Sequence, residues 1–236
     1  MPRHGSVHPH VVPESRFGVW FISSEIWSEY VLRAALDDLE RLIPHRVESY
    51  PTILDFGCGF GLSFQMLHHR FRPRQIVAID CDRRMLAGAH LAAQEMQHSS
   101  EVLAASGIAI PLRNQSVDMI FCHQTLHHVV DQKAVLAEFY RVLKPGGLLL
   151  FAESTEPFIT SWIIRLLFRH PKESQWKAAE YLAMIRNAGF TVTPMSVSYP
   201  YLWWSRKDFG LKEYLFGLPL RPQHAETLIN LVAVRD

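Results

Sequence analysis

Cysteine is scarce: Cys58, Cys81 and Cys122 are the only three in 236 residues. An odd count with no close pair excludes a disulfide framework and points to a reduced, cytosolic protein. The spacing fits no zinc pattern either, and no metal is expected. An excess of one charge is also missing, with 24 basic residues against 23 acidic and a net charge of +1. That balance argues against a nucleic-acid surface dominated by charge. No apolar run reaches the ~20 residues of a membrane span. Met1 to Glu14 is rich in His, Pro and Arg and lacks the apolar stretch of a leader peptide. The middle of the chain has no tryptophan. Trp20 and Trp27 precede it, and Trp162, Trp176, Trp203 and Trp204 follow it. What is present is apolar material, 48% of the chain, enough for the core of one large α/β domain.

The chain is organised around Thr52-Ile-Leu-Asp-Phe-Gly-Cys-Gly-Phe-Gly-Leu62. A short apolar run ends on Asp55, glycines alternate at Gly57, Gly59 and Gly61, and an apolar helical pattern follows through Leu67. Glycine serves where a backbone turns sharply or a ligand comes close. Strand, glycine loop and helix together offer free N–H groups and a helix N-terminus to a ligand. The dinucleotide fingerprint G-x-G-x-x-G fits poorly, because its third glycine would fall on Leu62. A carboxylate at Asp55 would repel a pyrophosphate and suits a cationic group better.

In order, residues 1–16 read as a mobile tail. His4, His8 and His10 lie in it, without a strong case for metal binding. Phe17 to Ile43 carries apolar residues at helical spacing, either as a core-packing helix or as a cap over a substrate. Gln75 to Asp80 reads as a buried parallel strand whose terminal acid can accept both hydroxyls of a ribose. Asp82 caps the next helix, which carries Met85 and Leu86 in its first turn. Glu101 to Ser106 is the third strand, Val117 to His123 the fourth and Leu148 to Ala152 the fifth, with a helix over Gln132 to Leu143 between the last two. Phe158 to Phe168 reads as a helix apolar on almost every side, buried or against a membrane interface. Tyr181 to Phe190 is a helix ended by Gly189. Thr191 to Leu202 is the sixth strand, and Thr227 to Arg235 the last, antiparallel one.

Several of these stretches carry a family resemblance. Asp55 to Gly61, D-x-G-x-G-x-G, resembles the first motif of class I S-adenosylmethionine (SAM)-dependent methyltransferases. Ala105 to Leu112 resembles their G-D-A-x-x-L-P-F. Ser116 to Ile120 with Leu126-His-His-Val129 is similar to S-x-D-x-I…L-H-H-V of the ubiquinone and menaquinone C-methyltransferase-like group, the type 11 methyltransferases. Glu138 to Phe151, EFYRVLKPGGLLLF, is a further marker. The resemblance covers about residues 50–153.

It implies a doubly wound, Rossmann-like, mostly parallel sheet of seven strands, the last antiparallel, with an N-terminal helical cap. The chain then divides into a flexible tail 1–16 and one SAM-binding domain 17–236, with a cap 17–46 and aromatic insertions 155–180 and 203–226. The implied cofactor is SAM, held by Asp55, Gly57, Cys58, Gly59, Gly61, Asp80, Cys81, Met85, Ser106, Gly107, His123 and Gln124. Ser106 stands where the family usually has an aspartate on the adenine amino group. His127, His128 and Glu153 are the catalytic candidates; each has an alternative as a packing or capping residue. The expected acceptor is small or lipid-like and apolar, of quinone or natural-product type. Nucleic acid is not expected as a partner, while peripheral membrane contact and a homodimer stay open. Two alternatives remain: a SAM enzyme of another reaction type, and a non-catalytic SAM-fold partner protein.

Overall fold

The computed structural model describes residues 12–96, 99–171, 174–206, 215 and 224–236. Helices α1 (Arg16–Ile22) and α2 (Arg33–Leu42) are joined by one wider, π-type turn, Trp27–Leu32. The αβ unit follows: β1 (Thr52–Phe56), α3 (Phe64–Phe71), β2 (Gln75–Asp80), α4 (Arg83–Glu95) and β3 (Ser99–Ala104). After it come β4 (Val117–His123), α5 (Gln132–Val142) and β5 (Leu143–Ser154). The remainder comprises α6 (Glu156–Ile159), α7 (Trp162–Leu167), α8 (Ala178–Asn187), β6 (Phe190–Thr191), β7 (Val197–Ser198) and β8 (Leu228–Arg235).

The sheet has eight strands in the order β3-β2-β1-β4-β5-β8-β6, with β7 also against β8. β1 to β5 are parallel, and β8 runs antiparallel to β5, β6 and β7. The eighth strand arises because the expected sixth one is broken. Pro194 has no N–H for a ladder, so a turn at Pro194–Ser196 separates two short strands. β3 starts earlier than expected, because Asp80 pairs with Ala104 and so leaves Ser106 and Gly107 in the loop beyond the strand. Strand order reverses between β1 and β4, and such a switch point opens a crevice at the carboxyl ends of the strands.

Both sheet faces are covered, so the central strands are continuous apolar runs. Leu54, Phe56, Ile120, Cys122, Leu149 and Phe151 face α5 and α8. Ile53, Ala78, Met119, Phe121, Leu148 and Leu150 face α2, α3 and α4. α5 begins on Asp131, whose side chain accepts the Ala134 N–H at 3.0 Å, and buries Val135, Leu136, Phe139 and Val142. Each such side chain stabilises the fold by about 1.5–3 kcal/mol. Phe139→Ala would cost about 3–5 kcal/mol, since Phe139 is fully buried against Phe56.

Three local expectations need correction. Phe158–Phe168 is not one helix: the Thr160 hydroxyl bonds the Glu156 carbonyl at 2.7 Å and the chain breaks at Ser161 before α7. Trp162 and Leu166 on α7 are 73% and 72% exposed, so this segment is not buried all round. The tail is not free along its whole length either. Residues 1–11 lie outside the described ones, but Val12 to Arg16 pack, with Glu14 buried and Val12 N–H donating to the His128 carbonyl at 3.1 Å. Most of the expected insertion 203–226 lies outside the described residues. Its described start, Trp204, packs on Val31 and donates Nε1–H to the Tyr30 carbonyl at 3.1 Å, joining the N-terminal helices to the C-terminal segment. No helix among the described residues is long and apolar enough to cross a membrane.

Candidate functional site

A cavity of about 710 Å³ opens at the switch point. β1 brings Asp55 to its floor, and the loop after β1 supplies Gly57, Cys58 and Gly59. The end of β2 contributes Asp80 and Cys81, and the start of α4 contributes Met85. Ser106 and Gly107 follow β3, while His123 and Gln124 end β4. Gly61 is the exception among the expected ligand-binding residues. It does not line the cavity; a Cβ there would sit 2.8 Å from Phe64 and 3.0 Å from Ala92, so it packs the loop onto α3 and α4.

Gly57 shows why the loop needs glycine. Its φ is +74°, and a Cβ would fall 2.2 Å from the Thr125 side chain. The loop is pinned from β2, where the Ile79 carbonyl accepts from Gly57 N at 2.8 Å and Cys58 N at 3.1 Å. Asp80 holds it as well, one oxygen accepting from Gly59 N at 2.9 Å and the other from Asp82 N at 2.8 Å. Each Asp80 oxygen keeps a lone pair for a further donor.

The site is electrostatically poised. Burial pushes the Asp55 carboxyl up to about 7, helped by the nearby Asp80 charge and opposed by the Ser63 hydroxyl, which hydrogen-bonds it. Burial also raises Asp80, against the opposing effect of its backbone donors. A buried acid beside a half-buried one, with no cation among the described residues bonded to either, makes a site that favours a positive ligand group. Burial, with His127 nearby, lowers His123 to about 3, so it is a neutral imidazole, stacked near-parallel on Phe121 and 5.4 Å from the Trp27 ring. Gln124 takes φ +52°, a strained value for a side-chain-bearing residue, fixed by its N–H to the Ala152 carbonyl at 2.9 Å and by the Ser154 hydroxyl at 2.6 Å.

The catalytic candidates separate. Glu153 and His127 do not line the cavity. Glu153 is fully buried, accepting from Thr125 N at 2.8 Å and Leu126 N at 2.6 Å, with its other oxygen 2.5 Å from His127 Nδ1. It therefore holds the loop after β4 instead of capping the following helix. His128 alone of the three borders the cavity, with Nε2 3.5 Å from Glu14 Oε2.

Sequence reasoning missed Glu14, Thr125 and the apolar wall of Ile22, Leu32, Phe60 and Val129. Trp27 belongs to this wall, whereas Trp204 lines a second cavity, about 570 Å³, that shares His123 and Gln124 with the first. Glu14 gave no signal, because it sits among prolines and histidines without periodicity.

Residues 54–151 match the family model described as "Methyltransferase domain". A malonyl-[acyl-carrier protein] O-methyltransferase of Yersinia pestis is 36% identical over 105 residues, 44% of this chain and 37% of that one. A demethylmenaquinone methyltransferase of Listeria monocytogenes serotype 4a is 29% identical, over 53% of this chain and 54% of that one. The chain thus spans about half, or less, of the length of these curated relatives. A SAM-dependent methyltransferase structure from Aquifex aeolicus superposes with a TM-score of 0.63 at 18% identity, covering 92% of this chain and 96% of that one. At that identity the likeness shows the fold.

Proposed function

We propose that this protein moves the methyl group of SAM to an apolar, small or lipid-like acceptor, reading residues 54–151, which match a methyltransferase-domain model, as a SAM-dependent domain of class I type. One observation carries the reading: the acid ending β1, the glycine loop, the acid ending β2, the loop after β3 and the end of β4 all face one cavity. In this reading Asp55 and the loop take the methionine end of SAM, where its ammonium neutralises a buried acid. Asp80 accepts the ribose hydroxyls. Met85 and the Ser106–Gly107 backbone flank the adenine, and His123 with Gln124 lies beside the sulfonium.

The acceptor side is supported by the apolar wall. Ile22, Trp27 and Leu32 bring the N-terminal helical segment over the cavity, as a cap would, while Leu32 and Leu36 also pack into the core. A chamber with an apolar wall favours transfer by alignment, since holding donor and acceptor in line replaces a bimolecular encounter. Glu153 and His127 position the loop after β4 and touch neither ligand. His128 is the side chain left near an acceptor that must lose a proton.

Calorimetry with SAM and S-adenosylhomocysteine tests the donor, and mass spectrometry of products formed from methyl-labelled SAM tests the transfer. Binding of both ligands and a labelled acceptor from an apolar extract are expected. Absence of any SAM binding would overturn the reading.

A further inference from the structure

Three imidazoles converge behind the rim of the cavity. His127, His128 and His170 place nitrogen atoms within 4.8 Å of one another. Their ring centroids lie 4.3 Å, 5.0 Å and 4.8 Å apart. The fold brings His170 there through contacts far apart in sequence. Gln175 Nε2 donates to the His127 carbonyl at 3.0 Å and to the Pro171 carbonyl at 2.9 Å. Ser15 Oγ donates to the Leu167 carbonyl at 2.6 Å, and Arg169 N to Glu14 Oε1 at 3.1 Å.

We propose that this cluster is a binding site for a zinc-class divalent cation, with His127, His128 and His170 as nitrogen ligands and Glu14 as an oxygen ligand. Three features argue for it. The His127 Nδ1–Glu153 pair matches the arrangement in which a carboxylate orients a ligating imidazole and leaves Nε2 to the metal. His128 Nδ1 is buried with no hydrogen-bond partner, a cost that a ring rotation placing Nδ1 on an ion would remove. Glu14 commits Oε1 to Ser15 N and Arg169 N and turns Oε2 toward His128.

Three imidazoles and a carboxylate suit zinc in tetrahedral geometry better than a hard cation such as magnesium. Ligands of tetrahedral zinc at its usual bond lengths stand about 3.3 Å apart, against up to 4.8 Å among the three imidazoles, so the rings would turn inward on binding and Glu14, which reaches His128, would follow as the fourth ligand. The site stands on different residues from the SAM-binding set, apart from its border with the cavity at His128 and Glu14. An ion there would occupy the lone pair that a base requires, so His128 would hold metal instead of moving a proton.

The test uses the full chain, without an affinity tag, stripped with a chelator and titrated with zinc chloride. S-adenosylhomocysteine binding is measured in parallel as a control for folding. We expect one zinc per chain, and the same in a variant with His4, His8 and His10 all changed to Ala. His170→Ala should lose at least ~100-fold in zinc affinity while still binding S-adenosylhomocysteine, since even an outer partner costs 10–100-fold. Should that variant fail to fold, His170→Gln serves in its place. Cobalt(II) loading should give the intense visible bands of a tetrahedral centre. No zinc uptake, uptake that vanishes with the tail histidines, or unchanged affinity in the His170 variants would overturn the site. Those outcomes leave the donor assignment standing, because the control reads it separately.

Discussion

Glu153 and His127 meet at 2.5 Å in the interior, although the two carry the look of an acid–base pair. Neither touches the cavity, and Glu153 spends its second oxygen on the backbone of Thr125 and Leu126. The pair fixes the loop that ends in His128. Removing the carboxylate strands two N–H donors and an imidazole in a buried place. Glu153→Ala should therefore destabilise the protein by about 3–5 kcal/mol in a urea titration. A loss below about 1 kcal/mol would show that the pair holds nothing.

Asp80 is predicted to matter to the ligand more than to the fold. Asp80→Ala should weaken SAM binding about ten- to a hundredfold, the worth of charge-assisted hydrogen bonds to a ribose diol. Unchanged affinity in calorimetry would refute the ribose role. Ser106→Asp, which adds a carboxylate at the cavity wall, should act the other way and tighten SAM several-fold.

Asp55 makes binding sensitive to pH. Its folded pKa is raised to about 7 from 3.8. The free fold therefore gains from a protonated Asp55 below the lower value, and that gain is lost as pH rises through about 7. Asp55→Asn should accordingly stabilise the ligand-free protein above pH ~7, as thermal melts would show. A cationic ligand group needs the ionised form, so SAM affinity should climb between pH ~6 and ~8 and binding should release a proton at the lower end. Flat affinity across that range would remove the acid from the binding step.

Trp204 ties the two ends of the chain together. Trp204→Phe keeps the packing on Val31 and loses only the bond to the Tyr30 carbonyl, for about 1 kcal/mol in chemical denaturation. Trp204→Ala should cost about 3–5 kcal/mol. If the N-terminal segment is a cap, the larger change should also raise the KM for the acceptor.

The sheet was readable because its signals are local. Ile53-Leu54-Asp55 followed by spaced glycines, and Leu143 to Gly147 before an apolar run, carry their structure within a few residues. The broken sixth strand was not, since Pro194 weakens a ladder whose partner, β8, lies distant in sequence. At the site, Asp55, Asp80, Ser106 and His123 could be placed because each lies at or just past the carboxyl end of a strand, and these ends share one edge of the sheet. Glu14 and His170 could not. They come from irregular segments, and only the packing of those segments on the loop after β4 sets where they stand. The same reasoning fails for His127 and His128: neighbours in sequence, one faces Glu153 and the other the cavity.

The route of entry into the cavity follows from the packing of Val12 to Glu14. These residues line the chamber and are clasped from three sides, by the His128 carbonyl, by the Arg169 N–H and by Arg84, which donates to the Glu14 carbonyl at 3.2 Å. A chain shortened to begin at Ser15 would have an unroofed chamber, open to water at the place where an apolar guest must sit. Its affinity for the nucleoside half of SAM would survive, while transfer to that guest would slow and hydrolytic side reactions would gain ground. Val12 to Glu14, which belong to no helix or strand, would then be what keeps the reaction dry.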